Sequence, residues 1–139
     1  MSNSSQALGF VSVLVPSEMT KGELHFPAYI NVRYDNFVRN LFKPMTEPFM
    51  ALHAALGVSG EAGELADAVK KEYIYMKPRD RKNIVEELGD LRFYIQAVQN
   101  HYEITEVEVL QENANKLAKR YVDMKYSDSE AIARKDKEV

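Results

Sequence analysis

The sequence predicts an all-α fold, a four-helix bundle-like subunit that assembles into oligomers. Three observations carry this expectation. Apolar residues recur at spacings of three and four over most of the chain, the breaks between these stretches are short, and one stretch is apolar on more than one side. A chain of 139 residues suits one domain with one core.

Residues 1–26 stand apart. Phe10-Val11-Ser12-Val13-Leu14-Val15 is β-prone, and Pro16, Gly22 and Pro27 punctuate the segment after it. An extended arm, a short strand and a mobile terminus all fit this composition. From Pro27 the pattern reads as helical, with Tyr29, Val32, Tyr34, Phe37, Val38, Leu41 and Phe42 at helical spacings until Pro44. A long second helix starts after Thr46, a good N-cap, and runs to about Met76, just ahead of Pro78. Asp80 caps a third helix that reaches about Tyr102. Thr105-Glu106-Val107-Glu108 reads as a capping box opening a fourth helix to roughly Tyr126. Residues 127–139 form a polar tail with one short helix expected at 129–135. The expected organisation is an arm over 1–26, a helical domain over 27–126 and the tail.

Hydrophobic residues make up 45% and charged residues 28%, a soluble composition, and the net charge of −3 gives no basic surface for nucleic acid. The absence of cysteine excludes disulfides, zinc–thiolate sites and thiol nucleophiles. No apolar run approaches the roughly 20 residues needed to span a bilayer. Met1 to Gln6 carries no Lys or Arg ahead of the apolar Ala7–Val15, unlike a secretory signal. A cytoplasmic location is expected.

The chemistry concentrates in Gly60-Glu61-Ala62-Gly63-Glu64 and Glu86-Glu87-Leu88-Gly89-Asp90. Helical positions i and i+3 share a face. On the third helix Ile84, Leu88, Leu91, Ile95 and Val98 form an apolar stripe with Glu87, Asp90 and Tyr94 on its flank, and Glu86 opposite. On the second helix Val58, Ala62, Leu65, Val69, Tyr73 and Met76 form the stripe. Glu61 and Glu64 lie along its edge, and His53 and Lys71 project to the same side. Leu52 and Leu56 occupy a further face, so this helix requires partners on several sides. A single Glu-x-x-Glu is ordinarily a solvated face. Two such pairs beside apolar stripes on neighbouring helices bring Glu61, Glu64, Glu87 and Asp90 together, and four carboxylates there need cations. An all-oxygen set favours Mg²⁺, Mn²⁺ or Ca²⁺, and a protein-held Mg²⁺ commonly meets a substrate phosphate. The residues therefore point to an enzyme acting on a phosphoanhydride.

These residues resemble the all-α nucleoside triphosphate pyrophosphohydrolases of the MazG type. The likeness rests on Glu-x-x-Glu, a gap of 22 residues and Glu-x-x-Asp. It extends to Leu52-His53-Ala54-Ala55-Leu56-Gly57, to Lys77-Pro78-Arg79-Asp80-Arg81, and to Asn113-x-x-Lys116-Leu117-x-x-Arg120-Tyr121. It covers roughly residues 45–126 and departs from the pattern at Val122, where relatives often carry proline. The resemblance implies hydrolysis of an NTP or dNTP to the monophosphate and pyrophosphate, with Mg²⁺ (or Mn²⁺ in its place) held by Glu61, Glu64, Glu87 and Asp90. It also implies a homodimer or a dimer of dimers. Glu64 is the candidate base for the attacking water. Asn113, Lys116 and Arg120 suit phosphates, or else form a solvated basic helix end. Tyr94 either stacks on the base or fills the core. His53 either contacts substrate or caps a polar pocket. Lys71 either approaches a phosphate or is a surface lysine.

Two rivals remain at this level. A di-iron bundle uses Glu-x-x-His pairs, which His25, His53 and His101 do not provide. A non-catalytic helical interaction module with an acidic cluster is the other.

Overall fold

The computed structural model describes residues 9–15 and 28–137. The expectations for Pro16, Gly22 and Pro27, and for residues 1–8 of the N-terminal arm, lie outside the described residues. The chain divides after His101 into two compact units.

The first unit opens with a hairpin. Strand β1 (Phe10–Val15) pairs antiparallel with β2 (Ala28–Arg33), in a register that sets Phe10 opposite Arg33 and Val13 opposite Ile30. Ser12 Oγ donates to Asn31 Oδ1 at 2.5 Å across the strands. The helical reading of Tyr29 and Val32 is thereby corrected. β-Branched Ile30 and Val32 suit a strand once a partner ladder exists, and the β-prone segment 10–15 supplies that ladder. The fold is mostly helical, with this two-stranded sheet as its departure from an all-α architecture.

Helix α1 (Tyr34–Leu41) comes directly after β2, its first N–H donating to the Gly9 carbonyl. Helices α2 (Glu47–Tyr73) and α3 (Arg81–His101) pack against each other, and α1 lies on α3. Pro48 sits in the first turn of α2, where a missing N–H costs nothing. Beyond its end, Met76 adopts a left-handed conformation with φ 51°. Asp80 Oδ1 accepts from the Asn83 N–H at 3.0 Å and caps α3.

Val38, Ala54 and Ala97 form the buried core, with Tyr34, Phe42, Phe93 and Val98 packed around it. Full burial of a valine is worth about 1.5–3 kcal/mol. Asn100 Nδ2 donates to the Asp35 carbonyl at 2.9 Å, tying α3 to the start of α1.

The face α2 turns inward differs from the stripe read from its apolar residues. Ala54 and Ala68 are buried, and Gly57, Glu61 and Leu65 are half-buried, whereas Val69, Tyr73 and Met76 are exposed. Small side chains allow α3 to approach closely, so they decide the contact over the bulkier ones. A Cβ on Gly57 would lie 2.1 Å from the Tyr94 ring, which shows how tight this crossing is. Phe49, Leu52, Leu56 and Tyr73 are each more than half exposed.

In the second unit, α4 (Glu106–Arg120) opens on the expected capping box. Thr105 Oγ1 accepts from the Glu108 N–H, and the Glu108 carboxylate accepts from the Thr105 N–H at 2.7 Å. The helix ends at Arg120 rather than near Tyr126, as Tyr121 turns away and Met124 is left-handed. Ser127 caps α5 (Asp128–Ala133), which ends at a left-handed Arg134 before a short 3₁₀ turn, Lys135–Lys137. Among the described residues no helix is long and apolar enough to cross a membrane.

Candidate metal centre

Helices α2 and α3 bring Glu61 together with Glu87 and Asp90. Each offers a carboxylate oxygen, and the three oxygens lie within 4.8 Å of one another. The i, i+3 spacing puts Glu87 and Asp90 on one flank of α3, and the small residues of α2 bring Glu61 up to them. Glu86 points elsewhere, is exposed, and reaches Lys82 at 3.6 Å. Burial, then the charges of Asp90, Glu87 and Glu64, push the Glu61 carboxyl above its ordinary range.

Glu64 lies one turn beyond Glu61 and is exposed. Its charge reaches Glu61, but its carboxylate is not one of the three that converge. The chain thus assembles three of the four expected acids, with the fourth alongside. Three hard oxygen donors at this separation fit a divalent cation of the Mg²⁺ or Mn²⁺ type.

Beside the acids lies an aromatic cluster. Tyr94, one turn after Asp90, meets Phe93 edge-on with centroids 5.4 Å apart. His53 lies 5.9 Å from Tyr94 and 5.1 Å from Phe42. His53 therefore belongs to the aromatic group rather than to the carboxylates. Both His53 and Tyr94 remain partly exposed. Tyr34 was not anticipated at this place. Burial raises its phenol pKa, Arg92 opposes that shift and the charge of Asp90 adds to it, so α1 borders the acids. Its helical spacing from Phe37 and Val38 marks only a core face and carries no hint of that role.

Lys71 Nζ lies 2.9 Å from Asp67 Oδ2, and Lys70 Nζ lies 2.5 Å from Oδ1. Hydrogen bonds from Lys70 and then Lys71 hold the Asp67 carboxyl down to about 2. The Lys71 pKa is raised, first by its bond to Asp67, with smaller contributions from the charges of Glu64 and Glu87. Asp67 was missed as a partner, although its i+3 and i+4 spacing to the two lysines is the available signal.

In the second unit Asn113 and Lys116 are exposed on α4. Arg120 shares their face but is engaged: its Nε and Nη2 donate to the two Asp136 oxygens at 2.6 and 2.8 Å. The Asp136 side chain is wholly shielded from solvent, and the Arg120 bonds hold its carboxyl down to about 2. No sequence periodicity marks this pair.

The family model described as "MazG nucleotide pyrophosphohydrolase domain" matches residues 51–124. That span contains all four acids and the α4 residues. A "Gene 37 protein" of Mycobacterium phage L5 is 33% identical over 75 residues, covering 49% of this chain and 63% of the relative. The match thus spans less than two thirds of that protein, whose name states no activity. No solved structure matches the chain.

Proposed function

The chain belongs to the MazG nucleotide pyrophosphohydrolase family, and from that membership we propose that it hydrolyses an NTP or dNTP to the monophosphate and pyrophosphate, with Mg²⁺ as cofactor and Mn²⁺ as a substitute. The observation that carries this reading is the convergence of Glu61, Glu87 and Asp90 across two helices inside the matched span.

In this reading Glu61, Glu87 and Asp90, joined by Glu64, hold the divalent cation. When bound, the cation supplies charge neutralisation for the triphosphate and acidifies a water. Glu64, outside the tight group and exposed, accepts the proton of the attacking water through an oxygen that the cation does not engage, since such an oxygen retains its basicity. Tyr94 and His53 present ring faces to the nucleobase. Lys71 meets phosphate oxygens as a charge and hydrogen-bond donor. In the second unit Asn113 and Lys116 carry the chemistry of phosphate ligands, and Arg120 offers whatever part of its guanidinium Asp136 leaves available.

A helical bundle closed by self-association completes the proposal. The exposed Phe49, Leu52, Leu56 and Tyr73 support a homodimer or a dimer of dimers, because such a concentration of apolar surface on one helix calls for a partner. A cytoplasmic location and the lack of a nucleic-acid partner belong to the same reading.

The test is a panel of NTPs and dNTPs incubated with Mg²⁺ and assayed for monophosphate and pyrophosphate. Orthophosphate as the direct product overturns the reaction assignment. Unchanged turnover in Glu64→Gln removes Glu64 from the mechanism.

A further inference from the structure

The charges of two of these acids, Glu64 and Glu87, act on a cation of the same chain, Lys71. Glu61, Glu64, Asp67 and Lys71 succeed one another at spacings of three, three and four along α2, so they share one side of that helix. Asp67 sits between two ammonium groups, and these differ in their surroundings. Lys70 Nζ lies over the Tyr75 ring, 5.5 Å from its centroid. Lys71 lies where the charges of Glu64 and Glu87 act on it, and its Asp67 contact is 2.9 Å. Both side chains are partly solvated, so the pair is worth little to stability on general grounds. Its effect is instead on where the positive charge stands. Without Asp67, a flexible lysine chain would be drawn toward the negative charges that already act on it, those of Glu64 and Glu87.

We propose that Asp67 is a positioning residue that restrains Lys71 at the edge of the Glu61–Glu87–Asp90 cluster, leaving the carboxylates open to a divalent cation and keeping the ammonium beside the site for an anionic substrate. This rests on the reading that the three acids bind a divalent metal. The restraint makes Asp67 favour metal uptake although it touches none of the three acids. Its influence passes through Lys71, so it must vanish when Lys71 loses its charge.

The measurement is titration of Mn²⁺ alone, without nucleotide, into the full chain by calorimetry, with free Mn²⁺ monitored by electron paramagnetic resonance. Asp67→Asn should weaken Mn²⁺ binding roughly tenfold, the order expected when a unit charge moves from well outside contact to about 4 Å from a dication in a largely aqueous setting. Asp67→Glu should restore most of the affinity. Lys71→Met should bind Mn²⁺ at least as tightly as the parent. In the Lys71→Met background, Asp67→Asn should change affinity by less than about twofold, because only a distant screened charge is then lost. Equal weakening by Asp67→Asn in both backgrounds, or none in either, overturns the inference. Lys71→Met and Asp67→Glu keep the test decisive if Asp67→Asn fails to fold: weaker Mn²⁺ binding in Lys71→Met also overturns it. A parent protein that takes up no Mn²⁺ refutes the metal reading itself and the inference with it. Mn²⁺ uptake without the Lys71 dependence refutes the inference alone.

Discussion

Replacing Gly57 by alanine sets two opposed effects against each other at one position. In the interior of α2, alanine is favoured over glycine by about 1 kcal/mol through helix propensity. Here the new methyl would meet the Tyr94 ring at 2.1, 2.3 and 2.4 Å from three of its carbons. The ring would have to retreat by roughly an ångström or more to reach ordinary van der Waals contact, yet Phe42, Phe93 and His53 crowd it on its inner sides. Overpacking of this kind costs about 1–3 kcal/mol. The net expectation is a destabilisation between about zero and 2 kcal/mol. Gly60→Ala is the internal reference, because nothing lies within 4 Å of a Cβ there. It should gain about 1 kcal/mol. Urea melts of the two variants should therefore differ by about 1–3 kcal/mol, and Gly57→Ala should become stabilising in a Tyr94→Ala background. A Gly57→Ala protein as stable as Gly60→Ala would refute the close crossing of α2 and α3 on which the site geometry depends.

Glu87→Gln removes one of the three converging carboxylates and should weaken Mn²⁺ binding by more than about tenfold in calorimetry, since charge lost beside a dication acts at short range. Saturating Mg²⁺ at about 100 times its Kd should stabilise the parent by about 2.7 kcal/mol, and the same concentration should stabilise Glu87→Gln by no more than about 1.4 kcal/mol in thermal melts. Thr105→Ala breaks the capping box of α4 and should cost about 1 kcal/mol, seen as a lower melting midpoint. The Asp136 carboxyl is lowered from 3.8 to about 2 in the fold. Its contribution to stability is thus present above the unfolded value and lost as pH falls through the folded one. Acid melts between about pH 4 and about pH 2 should show this loss in the parent and lack it in Asp136→Asn.

The helical part of the fold was legible in the sequence where local chemistry alone decides it. The Thr105 capping box and the Asp80 cap both appear as read, because their partners lie three residues away. The hairpin was not legible at β2: Tyr29, Val32 and Phe37 fit a helical spacing, and the strand partner lies on the far side of residues 16–27. The inward face of α2 was misjudged for a related reason. A helix with Leu52, Leu56, Val69 and Tyr73 around its circumference has no single apolar side, and the contact was won by Ala54, Gly57 and Ala68, whose advantage is their lack of bulk. The approach of Glu61 to Glu87 and Asp90 was legible because an i, i+3 pair on each of two adjacent helices leaves few other meeting points. The place of Glu64 was less so, since a side chain at the edge of an arc can turn to solvent. The Arg120–Asp136 contact spans 16 positions and an intervening turn, and no repeat announces it.

The Arg120 guanidinium commits two of its donors to a wholly shielded carboxylate. Under the proposed function, exchanging the single residue at 136 would retune how readily Arg120 meets phosphate, with both acid-bearing helices left as they are. Anion affinity and cation capture would then be free to drift apart over evolutionary time, each adjusted by changes the other does not register.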